Sequence, residues 1–207
     1  LWTHLTEAPG DWRCVWLTGA GEKIFCAGGD LKERNGMSRA QWQQQHEIFE
    51  RVSWAMVDLP LPIIASLNGH AYGGGLELAL CADFIYAADT ARMALPEVGL
   101  GIMPGMGGTQ NLPRAVGERR AREIILTGRP FTAQQALDWG LVNAVHSSAD
   151  LAAQSLATAQ RIAANAPVAV RMAKAAVTRG ADLSLADGLQ LERDLATFVY
   201  TTDVAKE

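Results

Sequence analysis

Two acidic residues, Glu77 and Glu97, stand beside glycine-rich stretches in a chain otherwise poor in chemical motifs. Glu77 falls in the first turn of a short helix that follows Gly73-Gly74-Gly75. Glu97 follows Pro96, just ahead of a glycine-rich segment from 99 to 108. Leu76, Leu78, Ala79 and Leu80 surround Glu77, so its helix is apolar nearly all round and belongs inside the fold. A buried carboxylate without a task is costly, which makes Glu77 a candidate for acid–base chemistry. The plainer explanations are an acid favoured by the helix dipole for Glu77 and a solvated loop residue for Glu97. The first N–H groups of the helix after Gly73–Gly75 have no internal partner and suit a developing oxyanion. A second donor is needed, and the Ala27-Gly28-Gly29-Asp30 turn could supply it. Spacing alone does not show that these two turns meet.

Other chemistries lack their residues. None of the glycine-rich places fits GxxxxGK[ST], and Pro104 after Gly99-Leu100-Gly101 spoils a dinucleotide fingerprint. There is no HExxH, no GxSxG and no His/Cys cluster with metal spacing, so no metal is expected. His4, His46, His70 and His146 are scattered, and His70 reads as an ordinary turn residue. Asp83 and Asp89 have no evident partner, and Arg119, Arg120 and Arg122 read as a solvated helix face.

The chain has 207 residues, enough for one domain with a substantial core. Charged residues make up 19%, below the usual ~25%, which fits a globular enzyme or a buried oligomer. A net charge of −4 argues against nucleic acid as the main partner. Cys14, Cys26 and Cys81 form no CxxC, and Cys14 and Cys81 read as buried thiols, so a reducing, cytoplasmic setting is expected. No apolar run reaches the ~18 residues of a membrane span, and no membrane partner is expected.

The elements that must carry these residues follow from pattern. Strands are expected at 13–17, 63–67, 83–87, 91–94 and 141–145, with a further short apolar run at 25–30. Ser38 with Gln41 has capping-box spacing and opens a helix that Pro60 and Pro62 end. Trp42, Phe49, Val52 and Met56 form its apolar stripe, expected in the core, and Trp54 is expected to pack as well. Thr132 with Gln135 opens another helix, ended by Gly140. Helices are expected at 150–164, at 167–179 with Pro167 at its start, and at 184–199. Strands and helices followed by helices alone describe an α/β core with a helical C-terminal section. We divide the chain into a core, 1–145, and a helical section, 146–207.

At this point the residues resemble a known family. Phe25-Cys26-Ala27-Gly28-Gly29-Asp30-Leu31 is similar to the first signature of the crotonase (enoyl-CoA hydratase/isomerase) superfamily. Asn68-Gly69-His70-Ala71-Tyr72-Gly73-Gly74-Gly75-Leu76-Glu77-Leu78-Ala79 is similar to its second. Pro96-Glu97-Val98-Gly99-Leu100-Gly101-Ile102-Met103-Pro104-Gly105, with Gly107-Gly108-Thr109-Gln110, is similar to its third. Order and spacing agree from about Cys14 to the end. Leu31-Lys32-Glu33-Arg34 and Met37-Ser38 look similar to the methylglutaconyl-CoA hydratase branch, some of which also binds RNA.

The resemblance implies a spiral of ββα units with a C-terminal helical trimerisation section, assembled as a trimer or a dimer of trimers. It implies acyl-CoA thioester substrates, coenzyme A being part of the substrate, and no metal or redox cofactor. By position it gives Gly29 and Gly74 as oxyanion-hole donors, Glu77 and Glu97 as catalytic, and Gly105 as placing a water. It sets Ala27, Gly29, Asp30, Leu31 and Lys32 along the CoA. Both glutamates together favour enoyl-CoA hydratase activity, with Glu97 as the Cα-side acid and Glu77 handling water. An isomerase, another acyl-CoA lyase or an RNA-binding relative is the alternative. Gly29 and Asn111 depart from the residues more usual in the family. Against the family pattern the chain lacks the first strands and the final helical tail.

Overall fold

The computed structural model describes residues 1–7 and 10–202. In chain order the elements are α1 (Trp2–Glu7), β1 (Val15–Thr18), β2 (Ile24–Cys26), α2 (Leu31–Arg34), α3 (Arg39–Val57), β3 (Ile63–Leu67), β4 (His70–Tyr72) and α4 (Gly74–Leu80). There follow β5 (Phe84–Ala88), β6 (Arg92–Ala94), a 3-10 turn (Glu97–Leu100), α5 (Gly108–Val116), α6 (Glu118–Thr127), β7 (Phe131–Thr132), α7 (Ala133–Asp138) and β8 (Ala144–His146). Three helices close the chain: α8 (Leu151–Ala163), α9 (Pro167–Gly180) and α10 (Leu185–Tyr200).

The strands alternate between two sheets. One has the order β1-β3-β5-β8 and is parallel throughout; the other runs β2-β4-β6-β7, with only the last pair antiparallel. The first three pairs of consecutive strands each give one strand to each sheet before a helix returns the chain, whereas α7 separates β7 from β8. This is the ββα spiral that the family resemblance implies. All five residues of β3 are buried, as an interior parallel strand covered on both faces requires. α8 lies on this sheet, where the buried hydroxyls of Ser66 and Ser155 meet at 2.9 Å. The main core gathers Leu67, Leu76, Met93, Leu95 and Leu112 between the sheets and α4–α5, and a smaller cluster of Leu5, Met56, Leu59, Leu61, Ile63 and Cys81 lies under α3.

Local signals were reliable where a cap fixed an element end. Both expected capping boxes form, Ser38 with Gln41 and Thr132 with Gln135, and Pro167 opens α9. Four short elements were not expected: α1, α2, β4 and β7. β4 and β7 have three and two residues, too few to show period-two alternation.

Three expectations about side chains need correction. The α3 stripe does not share one fate: Met56 is fully buried in the core, whereas Trp42 is 38% exposed and faces a cavity with Phe49 and Val52. Trp54 does not pack but is 68% exposed. Asp83 does have partners: it accepts from the Ile63 N–H at 2.6 Å and from Lys174 Nζ at 2.8 Å, and Lys174 also donates to the Leu61 carbonyl, tying α9 to the core.

Of the thiols, Cys81 is buried and Cys14 partly so. Burial is the main reason that both are pushed up to about 11, with Asp83 adding at Cys14 and Glu77 adding at Cys81. Both are inert thiols at neutral pH.

Candidate active site

A cavity of about 770 Å³ opens between α3, the turn before α2, the start of α4 and the segment 102–110. Gly29, Gly74, Glu77, Glu97 and Gly105 all line it. The two glycine turns that spacing could not pair are in contact. A Cβ placed on Gly28 would lie 3.0 Å from the Gly74 nitrogen and 3.2 Å from the Tyr72 carbonyl oxygen, and Gly28 holds φ +85°. Only glycine satisfies both the backbone angle and that approach. Among the described residues, the N–H groups of Gly29, Gly74 and Gly105 donate to no acceptor. Backbone donors left free on residues that line a cavity suit an anionic oxygen.

The two carboxylates are both buried but differently held. Glu77 is 3% exposed, and its Oε1 accepts from the Met106 N–H at 2.7 Å and the Gly108 N–H at 2.9 Å. These donors come from the 101–108 loop, so α4 supplies the carboxylate and the loop fixes its direction. Glu97 is 7% exposed, and its Oε2 is buried without a hydrogen-bond partner. The solvated-loop explanation for Glu97 therefore does not hold: the 3-10 turn tucks the side chain inward. Burial pushes the Glu97 carboxyl above the usual carboxylate range; its own backbone amide works against this, and the nearby negative charge of Glu77 adds to it. A Cβ on Gly73, which adopts φ +55°, would sit 3.0 Å from Glu97 Oε1, so the start of α4 also shapes the room around the second carboxylate.

The remaining residues expected at the site lie beside the cavity and not on its wall. Ala27, Asp30, Leu31 and Lys32 are exposed. Asp30 caps α2, its Oδ1 accepting from the Lys32 N–H at 2.7 Å and the Glu33 N–H at 3.4 Å. His70 is occupied outside the site, its Nδ1 accepting from the Arg92 N–H.

The sequence reading expected pocket walls from the 38–60 helix and the loops but did not name the residues of the opposite wall. Arg34, Trp42, His46 and Glu50 line the cavity together with Phe49. Arg34 donates through Nε to Gln45 Oε1 at 2.9 Å and packs over the Phe49 ring at 5.6 Å. His46 stacks on Trp42 with ring centroids 5.1 Å apart, and its Nε2 lies 3.3 Å from Glu50 Oε1. A signal was present: Trp42, His46, Phe49 and Glu50 recur at i, i+4, i+7 and i+8, on one helical face. An apolar stripe facing a core and one facing a cavity have the same period, so polar residues on that stripe were the distinguishing mark.

Comparison with known proteins agrees with this geometry. The family model for enoyl-CoA hydratase/isomerase matches residues 2–207. The crystal structure of an enoyl-CoA hydratase from Bacillus anthracis superposes with a TM-score of 0.95 at 44% identity, covering 98% of this chain and 78% of that one. An enoyl-CoA isomerase/hydratase of Mycosarcoma maydis is 44% identical over 179 residues, 86% of this chain and 65% of its own. A short-chain-enoyl-CoA hydratase of Clostridium acetobutylicum is 39% identical over 193 residues, 93% of this chain and 74% of its own. With its two-sheet spiral, its paired glycine turns and its match along nearly the whole length, the chain belongs to the enoyl-CoA hydratase/isomerase family, within the crotonase superfamily.

Proposed function

We propose that the protein is an enoyl-CoA hydratase that adds water across the double bond of a 2-enoyl-CoA thioester. The Gly29 and Gly74 N–H groups hold the thioester oxygen. Drawing electrons onto that oxygen makes Cβ electrophilic and stabilises the enolate that forms. Glu77, aimed by two amides, takes a proton from water as the water oxygen bonds to Cβ. Glu97, protonated, gives its proton to Cα as the enolate collapses. The proton left on Glu77 then passes to Glu97 and closes the cycle. In this scheme water and proton are delivered to the same face of the double bond, a syn addition. Gly105 presents its free N–H to the water. Ala27, Asp30, Leu31 and Lys32 follow the CoA outside the cavity. No group beyond the chain's own residues enters these steps.

The observation that carries this reading is a pair of buried glutamates lining one cavity, Glu77 held by two amides and Glu97 with its Oε2 unpartnered. One acid suffices to move a double bond; a second, differently poised carboxylate serves water. Isomerisation is the second reading, favoured by the isomerase/hydratase relative. Loss of the enoyl-thioester absorbance of crotonyl-CoA tests hydration, and product analysis from a 3-enoyl-CoA separates the two. Crotonyl-CoA left unchanged by protein that still binds CoA ligands contradicts the hydratase reading.

We also propose a homotrimer or a dimer of trimers as the working assembly. α9 and α10 pack on each other yet contain no buried residue, and Val177, Leu185, Leu189, Phe198 and Tyr200 are exposed apolar side chains. Apolar surface of this extent is suited to a partner copy. Light scattering during gel filtration reads the mass directly: a multiple of three chains is expected, and a stable monomer overturns the assembly.

A further inference from the structure

The loop that holds Glu77 rests on one imidazole ring. A Cβ placed on Gly105 would lie 2.6 Å from His46 Cε1 and 3.3 Å from its Nε2, so the ring lies directly against the Gly105 backbone. The next residue, Met106, and Gly108 two further on, donate the amides that fix the Glu77 carboxylate. The ring itself is well held: it stacks on Trp42 with an interplanar angle of 12°, and Glu50 engages its Nε2. The His46 and Glu50 side chains are 28% and 51% exposed, and so open an ion pair contributes little. Shape and stacking, not charge, must therefore do most of the holding.

We propose that His46 is a positioning residue: its ring, pinned between Trp42 and Gly105, sets the 101–108 loop so that the Met106 and Gly108 amides point at Glu77. The proposal rests on the reading of Glu77 as the residue that activates water. His46 contributes no proton in this scheme. It acts through the loop, and its removal lets the loop sink toward α3 and loosens the two amides.

The test pairs two readouts. Backbone amide hydrogen exchange at Met106 and Gly108 reports the loop, whatever the reaction. Steady-state hydration of crotonyl-CoA reports its consequence. His46→Ala is expected to lower protection at both amides by about tenfold, with β3 unaffected, and to cut kcat by roughly tenfold with KM little changed, as expected when a catalytic group is slightly misplaced. His46→Phe keeps a stacking ring of similar size and is expected to restore both. Glu50→Gln is expected to leave both amides protected. Native protection in His46→Ala, or equal loss in the Ala and Phe variants, overturns the proposal. Parent protein that fails to hydrate crotonyl-CoA defeats the hydratase reading instead, and the exchange data still decide the role of His46.

Discussion

The start of α4 and the 3-10 turn after Pro96 each bury a glutamate against the same cavity, yet they treat it in opposite ways. α4 delivers Glu77 to a loop that meets one oxygen with two backbone donors. The 3-10 turn delivers Glu97 to a place where burial raises its pKa and one oxygen has no partner. Donors stabilise the charged form; desolvation and a neighbouring negative charge stabilise the neutral form. In the proposed mechanism one residue type thus serves as two reagents, a base at Glu77 and an acid at Glu97. The difference comes from main-chain geometry, since neither carboxylate takes part in an ion pair among the described residues.

The largest effect expected from this contrast is that of Glu97→Gln. Without its proton the enolate cannot be quenched at Cα, and hydration should fall by about 10²- to 10⁴-fold. Glu77→Gln should lose hydration to a similar or somewhat smaller extent, since water can still reach Cβ without a base. Circular dichroism and CoA binding should stay native in both, because glutamine keeps the volume. Hydration retained in either variant breaks the contrast.

Gly73→Ala is expected to cost about 1–3 kcal/mol of stability, since a residue with a side chain is strained at φ +55°. Its Cβ would also press on Glu97 Oε1, so kcat should fall beyond what the lost stability explains. Thermal unfolding and kinetics on the same sample separate the two effects. An alanine variant with native Tm and native kcat contradicts the crowding around Glu97.

The smallest expected effect is on stability against pH. The folded pKa of Glu97 lies above its unfolded value. Between those two values the native state holds more protons than the unfolded state, so stability falls as pH rises through this window. Glu97→Gln removes that slope. It should gain stability relative to the parent at neutral pH and lose that advantage below the ordinary carboxylate range. Denaturant unfolding at several pH values checks the sign, and a parallel pH dependence in parent and variant contradicts the raised pKa.

Much of this site was legible in the sequence, and for identifiable reasons. Glu77 stood in an apolar helix behind three glycines, a placement that demands an explanation on burial grounds alone. The capping boxes at Ser38 and Thr132 are local chemistry and formed as written. Glu97 stood out beside a glycine-rich stretch, but its catalytic role came only through the family signature, because a loop carboxylate carries no periodicity to report its burial. The contact between Gly28 and Gly74 joins segments some forty-six positions apart, a tertiary fact that no local pattern encodes. His46 reads as one of four scattered histidines because the stripe on α3 has the same period whether it faces a core or a cavity.

The most direct test of the division between the two carboxylates uses a substrate that cannot be hydrated. Butyryl-CoA has no double bond, and solvent deuterium enters its Cα only if an active-site group removes and returns the α-proton. Mass spectrometry of butyryl-CoA incubated in heavy water with Glu77→Gln and Glu97→Gln reads that step alone. The account predicts that Glu77→Gln, though a poor hydratase, exchanges the α-proton within several-fold of the parent, whereas Glu97→Gln does not exchange it. Exchange lost equally in both variants, or retained in Glu97→Gln, contradicts the assignment of Glu97 as the Cα-side acid.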